Sequence, residues 1–292
     1  MKFAFIAKEE GRPVSFWCRV LGVSRTGYYA WRSRGESGHA REDRRLSVLV
    51  RESHERSRQR YGSPRIHAEL VARDEHVSRK RVIRLMQQEG LRGRVRRRFK
   101  CTTMSEHDRP VAANLLDRQF EAERPNHRWV SDTTELLIGD NDKAYLAAIV
   151  DLFSRYVVGW ALSTANDRHL VLRALEMATG LRCPEAGLLL HSDRGSTYAS
   201  EDYQKVLKEH GITCSMSRRG DCFDNAPMES WFSTFKLEVG ERFESYSEAK
   251  QRTFDYVELF YNQHRRHSSL GYLSPAEFER RHREQSGQEG RP

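Results

Sequence analysis

Three carboxylates stand where a soluble fold has little reason to put them. Asp132 interrupts the β-branched and apolar run HRWVSDTTELLIG at residues 127–139. Aspartate is disfavoured in a strand, and burying a lone charge is costly. Asp193 closes the apolar run GLLLHSD, where a buried strand should end. Glu229 lies near the start of PMESWFSTFKLEVG, residues 227–240, which reads as a helix. At about 100° per residue, Met228, Trp231, Phe232 and Phe235 fall on one core face, with Glu229 and Lys236 together beside it. Hard divalent cations such as Mg²⁺ take a few carboxylates and complete their shell with water and phosphate. Two such ions about 4 Å apart activate the attacking oxygen and stabilise the leaving one in phosphoryl transfer. Each acid taken singly also has an ordinary use. Asp193 fits a turn, and Glu229 complements a helix N-terminus. Both readings stay open on the residues alone.

Something must hold these acids together. HRWVSDTTELLIG, AYLAAIVDLFS (144–154) and RYVVGWALS (155–163), joined by tight connections, predict a three-stranded antiparallel meander. DRHLVLRALEMATG (167–180) is a helix by its spacing, GLLLHSD a fourth strand, and SEDYQKVLKEHG (200–211) a helix. ITCSMS (212–217) follows as a fifth strand, then the helix with Glu229, and a last helix over roughly 246–264. The order β-β-β-α-β-α-β-α predicts an α/β fold, a mixed sheet with helices on its faces.

The N-terminal part has another texture. PVSFWCRVLGVSRTGYYAWRS (13–33) reads as helix, Gly-containing turn and a second helix capped by Ser24 and carrying Arg25. A basic helix over 45–58 follows, then YGSPRIHAELVAR (61–73) with Pro64 near its start, and SRKRVIRLMQQEG (78–90), capped by Ser78 and stopped by Gly90. LRGRVRRRFK (91–100) holds five arginines and a lysine and cannot build a core, so it reads as a phosphate-contacting arm. Within the linker 101–124, Ala113, Leu115, Leu116 and Phe120 predict a short docking helix. Residues 1–100 carry 26 Lys/Arg against 11 Asp/Glu, and residues 101–292 carry 24 against 30. A basic half that meets a polyanion beside a less basic half with another task accounts for that asymmetry. The five cysteines, Cys18, Cys101, Cys183, Cys214 and Cys222, are scattered and odd in number, as in a reduced cytoplasmic protein. No apolar run approaches the roughly 18 residues of a membrane span, and no secretory cleavage signal is visible.

Thirty-five residues lie between Asp193 and Glu229, and 60 between Asp132 and Asp193. With the words WVSDTTE, HSDRGSTY, SMSRRGDCFDNAPMESWFSTFK and YNQHRRHSSLGYLSPAEF, this spacing resembles the D…D-x35-E core of bacterial transposases and retroviral integrases. CRVLGVSRTGYYAW, YGSPRI and RVIRLMQQEGLRG extend the likeness to the second-frame (OrfB) transposases of the insertion-sequence-three family, over about residues 10–280. The resemblance implies an RNase H-like catalytic core preceded by an all-α, helix-turn-helix-like region. It implies Asp132, Asp193 and Glu229 as the catalytic, metal-binding triad, working with two Mg²⁺ for which Mn²⁺ can substitute. The implied reaction is hydrolysis at a transposon 3′ end, then attack of the freed 3′-hydroxyl on another phosphodiester.

Lys236 matches the family's basic position at the DNA end. Arg194, Arg218 and Arg219 are further candidates for phosphate, as are Arg25, Arg65, Arg79, Arg84, Arg96, Arg97 and Arg98 upstream. The expected division is a helix-turn-helix-like segment 1–45, a second such region with its arm 46–100, a linker 101–124, the core 125–282 and a tail 283–292. Expected partners are double-stranded DNA, as terminal inverted repeats and as target, the upstream-frame OrfA product as a frameshift fusion, and further copies of the chain on DNA. No membrane is involved, and the expected place is the cytoplasm, on the nucleoid. Asp151 is expected in a turn or strand pair, Asp224 and Asn225 as the cap of the catalytic helix, and Glu135, where the family often has tyrosine, on the strand face opposite Asp132. His264 and His267 lack a Cys-x-x-Cys partner for zinc and are expected to pack or to meet DNA beside Arg265 and Arg266. Two rivals remain at this stage: a nuclease that cuts without joining, and a catalytically silent DNA-binding regulator.

Overall fold

The structure, a computed structural model, describes residues 1–94, 112–218 and 222–289. The chain divides into two compact units, Met1–Arg92 and Gly93–Pro292.

The first unit is helical throughout its described elements. Helices α1 (Lys2–Lys8), α2 (Val14–Val20) and α3 (Arg25–Ser33) close on a small core of Ile6, Cys18 and Tyr28, with Phe3, Val14, Trp17, Leu21 and Val23 packed around it. Ser24 caps α3 by accepting from the Gly27 amide at 2.9 Å, as its position predicts. Helix α1 is not marked in the sequence because its apolar residues run continuously from Phe3 to Ala7, too short and unbroken a stretch to show a helical period. Helices α4 (Gly38–Arg56), α5 (Ser63–Val71) and α6 (Arg79–Gln88) bury Leu46, Val50, Ile66, Leu70, Val82 and Leu85. Ser37 caps α4, which therefore starts earlier than expected and runs across residue 45. Ser78 caps α6, and Gly90 ends it with a left-handed φ of 68°.

In the second unit, strands β1 (Arg128–Ile138), β2 (Asp142–Asp151) and β3 (Val157–Ser163) form the expected antiparallel meander. Strands β4 (Leu189–Ser192) and β5 (Thr213–Met216) add on parallel, giving the order β3-β2-β1-β4-β5. The two-residue β6 (Arg242–Phe243) pairs with the far end of β1. Helices α7 (Arg168–Arg182), α8 (Glu201–Glu209), α9 (Ala226–Glu238), α10 (Tyr246–Phe254) and α11 (Pro275–Glu289) complete the unit. One core joins Trp129, Ala147, Ile149 and Val158 of the sheet to Leu170, Ala174, Leu175 and Ala178 of α7 and to Tyr198, Tyr203 and Leu207. Asp151 ends β2 in a turn and accepts from the amides of Asn126 and Phe153 at 2.7 and 2.8 Å and from the Trp129 indole at 3.3 Å.

Gly159 makes the closest sheet–helix approach. A Cβ there would run into the Ala174 carbonyl oxygen and stand 2.8 Å from the Ala178 Cβ and 2.9 Å from its amide nitrogen. Backbone cannot step aside as a side chain would. Gly159→Ala is therefore expected to destabilise this unit by about 1–3 kcal/mol or more, read as a lower denaturant midpoint at unchanged slope.

Three expectations need correction. Ala112–Phe120 does not form a helix. It lies along β5, where the amides of Leu115 and Leu116 donate to Ser215 Oγ and Ala113 accepts from Met216. Docking is achieved without helical hydrogen bonds, and Leu116 is the residue buried. The helix expected over 246–264 changes after Phe254 into a π-helical turn, Asp255–Tyr261. There Asn262 exchanges two hydrogen bonds with the backbone of Val157 on β3. Finally, α11 carries helix to Glu289, through most of the segment read as a tail.

Candidate active site

Strand register brings the first two acids level. Strand β4 pairs with β1 in parallel, with Val130 opposite His191. Two residues beyond that pair stand Asp132, still within β1, and Asp193, just past the end of β4. Asp132 is half-buried, and its Oδ1 accepts from the Thr133 amide at 2.7 Å. Its carboxyl is pushed well above the usual range by burial, then by the charge of Asp193. The Thr133 amide opposes the shift, and the charge of Glu229 adds to it. Glu229 is exposed in the first turn of α9, whose Met228, Trp231, Phe232 and Phe235 are buried as the helical spacing predicts. The three acids thus share one electrostatic neighbourhood. Among the described residues no group of three such side chains has closed to chelating distance.

Asp193 follows the end of β4 and also serves a turn: its Oδ1 accepts from the Gly195 amide at 2.8 Å. A Cβ on Gly195 would lie 2.9 Å from that oxygen, so only glycine leaves the carboxylate its place. His191, two residues before it, is no ligand candidate. Both ring nitrogens are engaged, by Ser215 Oγ at 2.8 Å and Ser217 Oγ at 3.1 Å, and burial brings its pKa down to about 4. The donor set is oxygen only, in mutual repulsion, which fits a hard divalent cation.

The capping expectation for Asp224 and Asn225 fails instructively. Asn225 holds the N-cap position of α9 but makes no side-chain cap bond. Its Nδ2 donates instead to the carbonyl of Ser131 at 3.1 Å. Asp224 is fully buried and accepts from Asn114 Nδ2, from Arg118 Nε and from both the amide and guanidinium of Arg218. The Arg218 guanidinium holds its carboxyl well below the usual range.

The basic candidates divide. Lys236 stands two turns after Glu229, half-buried, its amine lowered by burial against the opposing charges of Glu241 and Glu135. Glu135 itself pairs with Lys143 at 3.0 Å. Arg194 donates from Nε to the Ser217 carbonyl at 2.6 Å, and Arg218 is engaged by Asp224. Arg84 pairs with Asp43, and Arg65 lies over the Tyr61 ring. Arg25 and Arg79 are exposed on the helices they begin, and Arg25 lines an open groove with Tyr29 and Arg32. Arg96, Arg97, Arg98 and Arg219 lie outside the described residues. Arg94, read as part of the arm, donates to the carbonyls of Leu237 and Glu238 at the end of α9. Arg265 is buried against Glu238 rather than presented to DNA, and His267 packs edge-on against Tyr261.

Residues 122–222 and 210–275 match two models of the integrase core domain, and residues 40–99 match the HTH-like domain. The chain is 41% identical over 263 residues to the insertion element IS600 uncharacterized 31 kDa protein of Shigella sonnei, covering 89% of this chain and 96% of that one. It is 39% identical over 284 residues to the transposase InsF for insertion sequence IS3A of Escherichia coli (strain K12), covering 96% and 98%.

The chain belongs to the IS3-family transposases.

It is an enzyme of the transposase/integrase class, with an RNase H-like core and a helical, HTH-like region before it. Among solved structures it is similar to the HTLV-2 integrase catalytic core domain in complex with magnesium, trimeric form, at 16% identity and a TM-score of 0.41, over 54% of this chain and 98% of that one. No helix among the described residues is long and apolar enough to cross a membrane. For a transposase of this family, the sequence reading named the acids but missed Ser131 and Tyr198 beneath them. Serine inside a strand and tyrosine in a loop carry no signal by type or spacing.

Proposed function

We propose that this IS3-family transposase cuts the 3′ ends of its element and joins them to target DNA, with Asp132, Asp193 and Glu229 as the catalytic, metal-binding residues. The observation that carries the reading is the placement of the acids: Asp132 within β1, Asp193 just past the end of β4, which pairs beside β1, and Glu229 in the first turn of α9, whose N-cap Asn225 bonds to β1. Carboxylates near one another repel, and a shared cation or proton relieves that repulsion. Mg²⁺, or Mn²⁺ in its place, would be held by these carboxylates and would supply charge neutralisation at the reacting phosphate. The chain's own part is to hold the acids in register and to orient the DNA end, so that attacking and leaving oxygens lie in line. No covalent link to the protein is needed in either step.

Lys236 borders the same helix as Glu229 and suits a phosphate beside the scissile bond, while Arg194 and Arg218 line the approach from β5. The DNA ends are read upstream, by the exposed face of α3 with Arg25 and by the basic α6 with Arg79. The divisions near residues 45, 100, 124 and 282 belong to this reading, as do assembly of several copies on DNA and action as a fusion with the OrfA product.

The test is a labelled duplex of the element's own terminus, incubated with the chain alone and with the chain fused in frame to the upstream product. Metal-dependent release of a 3′-hydroxyl end, followed by joined products, is expected, with both lost in EDTA. Cleavage without joining would favour the nuclease reading. Metal-independent cleavage would remove the triad from the mechanism.

A further inference from the structure

We infer that Ser131, Tyr198 and Asn225 are positioning residues that fix the spacing of the three acids; this rests on reading Asp132, Asp193 and Glu229 as the metal-binding set. Ser131 directly precedes Asp132 and is 1% exposed. Pairing of β4 with β1 stops at Val130 and His191, and the carbonyl of Ser131, just beyond, is taken by Asn225 Nδ2 at 3.1 Å. The Ser131 hydroxyl meets the Tyr198 hydroxyl at 3.0 Å. Tyr198 is fully buried five residues after Asp193, and Asn225 is buried one helical turn before Glu229. One residue of β1 therefore ties, through its backbone and its side chain, the two other elements that carry an acid.

Two features separate this arrangement from ordinary packing. Asn225 occupies a helix N-cap position without making a cap bond, and its Nδ2 donates to the Ser131 carbonyl. That bond joins the start of α9 to β1 and contributes nothing to the helix's own hydrogen bonds. Tyr198 is already fixed by its ring, edge-on to Tyr203 at 5.3 Å within the main core. Its hydroxyl adds direction to the turn holding Asp193, where the glycine at 195 leaves room for the carboxylate that a Cβ would crowd. The three acids come from separate stretches of chain, and a site is accurate only if its supporting residues are locked in turn.

Metal-ion selectivity reads this directly. Mg²⁺ demands near-ideal octahedral geometry at short distance, whereas Ca²⁺ accepts six to eight oxygens at variable distance. Loosening the tie should therefore weaken Mg²⁺ more than Ca²⁺. The experiment is thermal unfolding of the full chain, without DNA, titrated with each ion. In Tyr198→Phe, which keeps the ring, the Mg²⁺ concentration for half-maximal stabilisation is expected to rise about fivefold to tenfold, as for a lost hydrogen bond of ordinary strength. The Ca²⁺ midpoint should move less than twofold, and the metal-free transition should fall by only a few degrees.

Ser131→Ala keeps the carbonyl for Asn225 and should reproduce Tyr198→Phe, with the double variant no worse than either single one. Asn225→Ala should add to both, because its tie is a separate bond. Equal shifts for the two ions, or none, would overturn the positioning role. Asp132→Asn is the control: if wild type and this variant respond alike to Mg²⁺, the acids do not hold the metal, and the reading of the site fails together with the inference.

Discussion

Glu229→Gln is expected to abolish end cleavage and joining, with a loss of about a thousandfold or more in rate, ~4 kcal/mol of transition-state stabilisation. The substitution is isosteric and falls on an exposed side chain in the first turn of α9. Its structural cost is therefore small, about 0.3–1 kcal/mol from the lost interaction with the helix N-terminus. What disappears is one of the two carboxylate charges that bear on Asp132. A neutral amide is a much poorer partner for a divalent cation facing a phosphodiester. The measurement pairs a cleavage time course with a DNA-binding isotherm and a melting curve on one preparation. Rate should collapse while affinity for the duplex end and melting temperature stay near wild type. Equal activity in the two proteins would remove Glu229 from the site. Loss of binding together with rate would make it a DNA contact instead.

Legibility of this site in the sequence followed a simple physical line. The acids were visible because charge in an apolar strand is conspicuous, and the face of α9 was visible because helical spacing writes itself into Met228, Trp231, Phe232 and Phe235. The level placement of Asp132 and Asp193 was not, since it depends on parallel pairing between strands some sixty residues apart. Nor was the role of Asn225: its type and position spell a cap, and only the structure shows its Nδ2 donating to the Ser131 carbonyl. Asp224 reads as part of the cap of α9 until Asn114, Arg118 and Arg218 are seen converging on it from two segments. The segment 112–120 was read as a helix because its apolar residues are spaced like one. Pairing with Ser215 and Met216 offers its amides and carbonyls partners that outweigh that local preference. Local patterns reveal elements. Long-range hydrogen bonds decide how those elements meet.

The second large effect concerns stability at the far end of α9. Arg265 and Glu238 form an ion pair with side chains 6% and 4% exposed, at 2.8 Å from Nη2 to Oε1 and with Nε 3.1 Å from both carboxylate oxygens. The Tyr256 hydroxyl donates to Glu238 at 3.0 Å, and the guanidinium lies over the Tyr261 ring. Arg265→Met is expected to cost about 3–5 kcal/mol, because Glu238 would stay buried with its main counter-charge gone. The same physics predicts that Glu238→Leu combined with Arg265→Met recovers most of that loss, since apolar packing often matches a buried pair once neither charge remains. Denaturant unfolding of the three proteins, followed by a probe within Gly93–Pro292, measures both quantities. Glu238 lies nine residues after Glu229 on α9, about 13 Å along the helix axis. The pair therefore acts on the helix rather than on DNA, and the double variant should cleave at close to the wild-type rate. A double variant as unstable as Arg265→Met would show that the pair does more than neutralise itself. Near-normal stability with lost activity would instead mean that Arg265 reaches the reacting DNA.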